Sequence, residues 1–490
     1  MKDLDDATKE QVPSSHLPSE ETAGIGALDE DPNYERRLVR KLDLHIIPLV
    51  MALYLFSFLD RVNIGSARLY NLEEDLGLNG NQFQLSVSIL FVTYLAFEIP
   101  GNLVLKKFTP RFFISAIALA WGIVSMCTGF VQSFGGLIAC RLILGAVEAS
   151  LFPGLTIYLT TFYTKNEIAL RIGYLFVSAA LAGACGGLLA FAIGYMEGLQ
   201  GMNGWRWILI IEGLPTIILG VISFFYLADD PETANYLTPE ERIYAIHRLS
   251  RDVSATRSSR QFHWADVRAC FTDWRCYAFA VGQFGVDTML YGFSTFLPTI
   301  IKSIHSWSNA EVQALTIPCY AVGAITYLII ARISDAHGRR APYIIIFAII
   351  SCIGYALLLA PVSPGVRYFA CFLVALGLYV AVGLPLAWLP NNSPRYGKRT
   401  AATGMQLTMG NASGVMIPFM YDNSPRFVKG QAVSLAMVAM GAVVYGILWY
   451  EYDRINKRRD RGEEDWKAEG KADLDVREMG DDSPRYRYTT

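Results

Sequence analysis

Long apolar runs recur from residue 45 almost to the end of the chain, and they limit its possible folds more than any other feature. A helix that spans the hydrocarbon core of a bilayer needs about 20 predominantly apolar residues. In lipid, backbone groups must hydrogen-bond within the spanning segment, so such runs fold as helices. Roughly twelve segments qualify: 45–64, 83–105, 112–131, 136–160, 172–195, 206–227, 277–302, 312–332, 341–361, 367–389, 401–421 and 432–452. We therefore predict an all-α membrane protein with twelve transmembrane helices.

The composition excludes several other classes of protein. Apolar residues make up 53% of the chain and charged residues only 18%, against about a quarter charged in soluble domains. Basic residues cluster at predicted helix ends and not on one face with aromatic residues, which argues against nucleic-acid binding. The eight cysteines fall mostly inside apolar runs and lack metal-ligand spacing. No phosphate-binding loop, nucleophile motif or zinc pattern is present, so we expect no enzyme activity, metal or cofactor, and we expect a functional monomer.

A polar stretch at about 228–276 divides the predicted helices into two sets of six. The predicted organisation is a cytoplasmic tail (1–43), a six-helix bundle (44–227), a central loop (228–276), a second six-helix bundle (277–452) and a second tail (453–490). Residues 1–35 are acidic and polar, which predicts disorder. Two repeated halves place a substrate site at their interface, near the middle of the membrane.

Within the central loop, Thr238-Pro239-Glu240-Glu241 has the pattern of a helical capping box. Threonine at the N-cap and glutamate three residues later satisfy each other's backbone N–H groups, and proline is favoured at the first helical position. The spacing of Ile243, Ile246 and Leu249 then predicts an amphipathic surface helix.

The distribution of Lys and Arg predicts the orientation, because short cytoplasmic loops carry an excess of both. Both tails and the central loop are predicted to be cytoplasmic. The loops on that side carry Lys106, Lys107 and Arg111; Lys165 and Arg171; Arg332, Arg339 and Arg340; and Arg395, Lys398 and Arg399.

The turn between predicted helices 8 and 9 resembles a loop of the major facilitator superfamily. It contains Asp335, Gly338, Arg339 and Arg340 in the pattern D-x-x-G-R-R, although Ala331 replaces the leading glycine. The resemblance implies a twelve-helix fold and a gating role for this loop. The equivalent first-half loop, 106–111, keeps the positive charge but lacks the aspartate and the glycine.

Further motifs resemble the anion:cation symporter family, and within it fungal permeases for allantoate, nicotinate and similar carboxylates. They are S-F-L-D-R-V-N-I-G at 57–65, R-L-I-L-G-A-V-E at 141–148, F-P-G at 152–154, G-W-R-W at 204–207 and P-E-T at 231–233. The resemblance covers about residues 40–455 and implies transport of a small organic anion with protons. The motifs do not specify the substrate.

Charged residues in the predicted helices need compensation, because an ionised group at membrane depth costs at least a few kcal/mol. Asp60 and Arg61 lie roughly 22 Å from the inner face, and Arg141 lies roughly 10 Å below the outer face. At these similar depths Arg61 and Arg141 could line one cavity and bind substrate. The alternative is a salt bridge of Asp60 with Arg61 in an outer loop, if helix 1 ends early.

Arg141 and Glu148 are seven residues apart and therefore share one helix face. A buried column of this kind is either structural or couples protonation to substrate binding. In the second case a substrate carboxylate competes for an arginine and frees an acid to take a proton. The family resemblance implies these proton-coupling roles for Asp60 and Glu148.

In the second half, Gln283, Asp287 and Tyr291 share a face of predicted helix 7 and are candidate substrate ligands. Asn411, with Gln406, either hydrogen-bonds substrate or joins neighbouring helices. In the first half, the predicted role of Glu98 is gating or structural, and Glu212 is predicted to pair locally near Arg206.

Two functions remain open at this point. The first is import of a small organic anion by proton symport, with a bilayer, protons and the anion as the only partners, in the plasma membrane. The alternative is a major facilitator exporter of a secondary metabolite or drug. The 183–187 run resembles the glycine motif of antiporters, although close helix packing also explains it. Buried arginines favour an anionic substrate.

The predicted orientation can be tested by cysteine labelling in intact cells. In the variants Asp5→Cys and Asp266→Cys the new thiols should resist membrane-impermeant maleimides, because both positions are predicted to be cytoplasmic. Rapid labelling of either variant before permeabilisation would contradict the orientation.

Overall fold

A computed structural model describes residues 32–105, 108–254, 264–422, 426–471, 476 and 479–490. The predicted tail up to residue 31, which includes Asp5, lies outside the described residues, as do Lys106, Lys107 and residues 255–263 of the central loop. Every regular element within the described ranges is helical.

Twelve helical stretches correspond to the twelve predicted spans. They are α1 (Pro32–Leu69), α2 (Gln82–Leu105), α3 (Pro110–Thr128), α4 (Phe134–Glu148 and Leu151–Phe162), α5 (Lys165–Gly194), α6 (Gly204–Tyr226), α7 (Trp274–Lys302), α8 (Asn309–His337), α9 (Ala341–Leu359), α10 (Pro364–Asn391), α11 (Tyr396–Met416) and α12 (Val428–Asp460). Shorter helices outside these spans are Leu72–Asp75, Pro239–Ser254 and Trp264–Thr272.

Nine helices within the described residues are long and apolar enough to cross a membrane by length and composition alone. The others are α2, whose apolar stretch is shorter, and α7 and α11. Buried polar side chains lower the hydropathy of these last two, among them Gln283 and Asp287 on α7 and Gln406 and Asn411 on α11. The all-α membrane fold is thus confirmed, and the structure is consistent with the predicted count of twelve spans.

Helix α1 extends further in both directions than its apolar run predicts. It begins at Pro32, inside the predicted tail, and continues to Leu69. Asp60 and Arg61 therefore lie inside a helix, and the alternative that places them in an outer loop is wrong. Hydropathy misses the ends because charged residues there belong to the helix but not to the membrane core.

The contacts between the first and the last six helices depend on close backbone approach. Gly65 on α1 faces α7, where a Cβ atom would lie 1.8 Å from the carbonyl oxygen of Thr295. On α5, a Cβ at Gly183 would lie 2.5 Å from the ring of Tyr320 on α8. The packing explanation of the 183–187 glycine run is therefore confirmed. The division into two six-helix bundles remains a prediction.

The capping box of the central loop is confirmed. The backbone N–H of Thr238 donates to Glu241 Oε2 (2.8 Å), and the N–H of Glu241 donates to Thr238 Oγ1 (3.3 Å). Lys41 Nζ on α1 also donates to Glu241 (2.6 Å), which fastens the surface helix to the first span. Asp266, by contrast, is buried and contacts Arg395 at 3.5 Å, so exposed Glu240 is the better position for cysteine labelling.

Replacing Gly65 should separate α1 from α7. In the variant Gly65→Ala the added methyl group would overlap the Thr295 carbonyl, and overpacking of this kind costs about 1–3 kcal/mol. We expect a lower midpoint of thermal unfolding in detergent, followed by intrinsic fluorescence. Gly173→Ala on α5 is the control, because a Cβ there has no neighbour within 4 Å. An equal midpoint for the two variants would contradict the close contact.

Candidate functional site

A small cavity lies at the junction of α1, α2, α4, α5, α7, α10 and α11. Its volume is about 50 Å³, which leaves room for only a few water molecules. Its polar lining residues are Arg61, Asp287 and Asn411. The aromatic ones are Tyr54, Phe58, Tyr94, Phe152, Phe176, Tyr291 and Tyr379. A cavity that combines one cation, one acid and many rings suits a small, flat, charged molecule.

Arg61 on α1 supplies the positive charge in the cavity wall. Its Nε donates to Glu148 Oε1 at 2.7 Å, and its guanidinium lies 4.6 Å from the ring centre of Tyr94. The hydroxyl of Ser57, one turn earlier on α1, donates to the same oxygen of Glu148. Glu148 is fully buried at the end of the first segment of α4, and its Oε2 makes no hydrogen bond within the described residues. The ion pair thus joins α1 to α4 beside the cavity.

Asp60 and Arg141 lie behind the cavity wall. Asp60 accepts hydrogen bonds from Trp121 Nε1 (2.5 Å) and Ser125 Oγ (2.8 Å), both on α3. Arg141 is 3% exposed, and its Nε makes no hydrogen bond to any residue that the structure describes. Asp60 and Glu148 are the acids that interact electrostatically with the Arg141 guanidinium. Arg61 alone of the two arginines lines the cavity, and substrate binding by Arg141 remains a prediction.

The second-half candidates form two hydrogen-bonded groups. Gln283 Nε2 donates to Asp287 Oδ1 (2.8 Å), so the predicted shared face of α7 is confirmed. Gln283 also accepts from Gln406 Nε2 on α11 (3.1 Å) and lies outside the cavity lining. The hydroxyl of Tyr291 donates to Asn411 Oδ1 (2.5 Å), which joins α7 to α11 at the cavity wall.

Two further buried acids differ in their surroundings. Glu98 Oε2 accepts from Thr408 Oγ1 at 3.2 Å and so links α2 to α11. Glu212 on α6 is 1% exposed, and neither of its oxygens has a hydrogen-bond partner in the described part of the chain. The predicted local pairing of Glu212 is wrong, because Arg206 at the helix start bonds Asp75 instead (2.8 Å).

The D-x-x-G-R-R turn has a defined geometry. Arg340 Nη2 donates to Asp335 Oδ1 at 2.9 Å, and the Ser334 hydroxyl donates to the carbonyl of Arg339 at 2.7 Å. Gly338 ends α8 with a φ of 61°, a left-handed conformation that favours glycine at a helix C-terminus. The motif thus forms a hydrogen-bonded turn, and its gating role remains a prediction.

Sequence reasoning missed the uncharged partners of the buried acids, namely Ser57, Trp121 and Ser125. A tryptophan or serine in an apolar run carries a hydrogen-bond donor that needs a partner when it is buried. This is the one sequence signal that could have predicted these partners. The aromatic lining was missed as well, because its rings come from six different helices. Only packing brings them together.

A larger depression of about 270 Å³ lies where α1 and α5 end and α8 begins. Its one acid, Glu197, already accepts from the backbone N–H of Gly204 at 2.6 Å. The smaller cavity is the better candidate substrate site. Its wall contains a buried ion pair, which costs free energy inside a membrane, and a functional role explains why such a pair is present. Buried charges around a cavity between membrane helices are typical of a solute transporter.

Comparison with known proteins supports this class. Residues 50–418 match the profile of the Major Facilitator Superfamily. This chain is therefore a member of the major facilitator superfamily of membrane transporters.

Several fungal proteins are similar over most of the chain. An uncharacterized transporter of Schizosaccharomyces pombe is 39% identical, with 98% of this chain and 95% of the relative covered. A major facilitator-type transporter of Emericella nidulans is 33% identical, with 98% of each chain covered. The high-affinity nicotinic acid transporter of Saccharomyces cerevisiae is 34% identical, with 78% of this chain and 71% of the relative covered.

Solved structures show the same fold at low sequence identity. A bacterial homolog of the human lysosomal transporter Spinster, inward-facing and unoccupied, has a TM-score of 0.65 at 16% identity, covering 82% of this chain and 95% of that one. A D-xylose–proton symporter has a TM-score of 0.63 at 13% identity, covering 83% and 97%. These likenesses establish the major facilitator fold.

The hydrogen bonds to Asp60 should contribute measurably to stability. Trp121→Phe keeps an aromatic ring but removes the Nε1 donor together with part of the buried indole, and an unsatisfied buried acceptor alone costs about 1–3 kcal/mol. We expect a clear drop in the unfolding midpoint in detergent. Trp207→Phe, whose indole makes only a long 3.4 Å bond to Leu199, should behave like the unaltered protein. Equal midpoints for the two variants would mean that Trp121 does not hold Asp60.

Proposed function

We propose that this protein imports a small organic anion, a planar aromatic carboxylate, together with at least one proton. The observation that supports this most is the ion pair of Arg61 with Glu148, because the arginine lies in the cavity wall and its partner is fully buried. A guanidinium binds a carboxylate through two parallel hydrogen bonds. Arg61 gives Glu148 only one such bond, from Nε to Oε1 at 2.7 Å, so a substrate carboxylate that forms both bonds can compete for the guanidinium.

The balance of buried charges supports proton coupling. Asp60, Glu98, Glu148, Glu212 and Asp287 are buried acids in spanning helices, and Arg61 and Arg141 are the two guanidinium groups that lie among them. The five carboxyl groups outnumber the two guanidinium groups. An ionised acid without a counter-charge in such surroundings is strongly disfavoured. Some of these acids must therefore hold protons.

Exchange of partners on Arg61 links the anion to the proton. When the substrate carboxylate takes Arg61, Glu148 loses its counter-charge while it remains buried. Glu148 then binds a proton, so one anion and one proton enter together and the net charge of the site does not change. Binding of the anion alone would leave an uncompensated buried charge, which costs several kcal/mol.

The lining suggests the kind of anion. Tyr54, Tyr94 and Phe152 present ring surfaces next to Arg61, and flat rings stack favourably on such surfaces. A relative that carries nicotinic acid, an aromatic carboxylate, supports the same class. Because ligand cavities commonly measure 300–1,000 Å³, the 50 Å³ cavity must widen when the substrate enters. Asp287 and Asn411 then form the opposite wall.

Uptake measurements test the proposal directly. Cells that express the protein should accumulate a labelled pyridine carboxylate from the medium, and a protonophore should abolish the accumulation. A panel of aliphatic carboxylates and neutral amides of similar size gives the specificity. Faster loss of preloaded compound, with no gain in uptake, would instead favour an exporter.

The role of Arg61 can be separated from its charge. Arg61→Lys keeps a cation but loses the two-pronged geometry, so we expect at least a tenfold loss of apparent affinity for the carboxylate. The variant should reach the membrane at a normal level. Its control is Arg111→Lys, because the exposed guanidinium of Arg111 bonds the carbonyl of Phe224 away from the cavity. Near-normal affinity in Arg61→Lys would exclude the role.

The proton-coupling residues are tested in proteoliposomes. Glu148→Gln or Asp60→Asn, whichever removes the proton-carrying acid, should stop accumulation driven by a pH gradient, because an amide cannot carry the proton. Exchange between equal substrate pools should survive in at least one of them, since exchange requires no net proton release. If both variants still concentrate substrate in response to the gradient, the coupling acid lies elsewhere, with Glu98 and Asp287 the next to test.

A further inference from the structure

Residues 479–490, called here segment 479–490, return from the end of α12 to the ends of neighbouring helices in the second half. Asp481 is 2% exposed and lies between two cations. Lys398 Nζ on α11 approaches its Oδ2 at 2.5 Å, and Arg275 Nη2 on α7 lies at 3.5 Å. Lys398 also bonds Asp273 at 2.7 Å. One acid of the segment therefore completes a buried cluster of charges.

Asp273 and Lys398, the acid and the base that bond each other in this cluster, are both charged at neutral pH. Burial alone would raise the pKa of Asp273, but hydrogen bonds and positive charge from Arg275 and Lys398 hold it at about 2. Burial alone would lower the pKa of Lys398, but the charges and hydrogen bonds of Asp481 and Asp273 raise it above its usual value. The cluster therefore presents two cations to the Asp481 carboxylate, Arg275 and Lys398, and each of them is also bonded to Asp273.

Tyr488 is the aromatic anchor of the segment. It is 4% exposed, and its ring stacks on Tyr452 of α12 with a centroid distance of 4.4 Å and an angle of 17°. Its hydroxyl accepts from Arg275 Nη1 at 2.5 Å. A buried ring with a charge-assisted hydrogen bond is typical of residues that dominate binding energy.

Two asparagines recognise the backbone of the segment. Asn456 on α12 donates to the carbonyl of Tyr488 (2.9 Å) and accepts from its N–H (2.9 Å). Asn392 makes the same pair of bonds with Thr489, at 3.0 and 2.8 Å. Trp388 Nε1 on α10 also donates to the Thr489 carbonyl at 2.7 Å. Pairs of this kind are how proteins bind an extended peptide.

We infer that the ends of α7, α10, α11 and α12 form a peptide-binding groove whose ligand is segment 479–490 of the same chain. The acid is contacted from α7 and α11, the tyrosine from α7 and α12, and the backbone from α10 and α12, so the segment ties these four ends together. The backbone N–H of Arg340, in the D-x-x-G-R-R turn, also donates to the carbonyl of Thr490 at 2.6 Å. Because α7, α10 and α11 carry cavity residues, a bound segment restrains the helices that line the cavity.

A binding assay with the full chain tests the groove. Asp481→Asn combined with Tyr488→Ala should release the chain's own segment and leave the groove open. A fluorescein-labelled synthetic peptide of residues 479–490 should then bind saturably, as followed by anisotropy. The unaltered protein should bind it at least tenfold more weakly, because a tethered segment competes at an effective concentration of about millimolar. Equal binding to both proteins, or none to the double variant, would overturn the inference.

Matched peptides and one groove variant test specificity. A Tyr488→Ala peptide should lose at least tenfold in affinity. An Arg487→Ala peptide should stay within twofold, because the bond of Arg487 to the groove is an exposed ion pair with Asp460, and its other hydrogen bonds, to the carbonyls of Pro484 and Tyr486, lie within the segment itself. Adding Asn456→Ala to the double variant should weaken the unaltered peptide. A Tyr488→Ala peptide that binds as well as the unaltered one would contradict the proposed anchor.

A second measurement does not depend on releasing the segment. In the full chain, Ser483→Cys should react with maleimide at least tenfold more slowly than Arg487→Cys, because Ser483 is 5% exposed and Arg487 lies on the surface. Labelling of the eight native cysteines is measured on the unaltered protein and subtracted. Equal rates at the two positions would show that the groove is empty in solution.

Discussion

The cost of an unpaired charge in lipid is the constraint on which the rest of this structure depends. Asp60 is held by Trp121 and Ser125, and Glu148 by Arg61 and Ser57. These contacts fix the rotation of α1 relative to α3 and α4, because each donor must face its acid. The buried acids therefore orient three helices as well as forming the candidate site.

Close packing between helices is the second constraint on the architecture. Lipid tails are as apolar as leucine, so membrane helices associate through tight contact and hydrogen bonds. Gly65 and Gly183 allow backbones to approach where bulkier residues would overlap their neighbours. Across α2 and α11, the Ser88 hydroxyl donates to the carbonyl of Val415 at 2.7 Å. This bond joins two of the helices that line the candidate cavity.

The sequence predicted the fold far better than the site. Apolar runs identified the spans, because hydropathy is a local property, yet α7 and α11 are marginal by that measure since they carry the polar residues of the interface. The seven-residue spacing of Arg141 and Glu148 correctly places both on one segment of α4. It could not indicate that Glu148 would pair with Arg61, because the choice of partner depends on how α1 packs against α4. Segment 479–490 was predicted only as part of a cytoplasmic tail (453–490), since its binding groove exists only after four helix ends meet.

The neutrality of the Arg61–Glu148 pair has a consequence for the energy source. If one anion and one proton cross together, no net charge crosses the bilayer, and the transmembrane voltage does no work on the step. Each additional proton would move one elementary charge, worth about 2.3 kcal/mol per 100 mV. Glu98 and Asp287, which have no arginine partner in the described residues, are the groups through which the voltage could begin to drive accumulation.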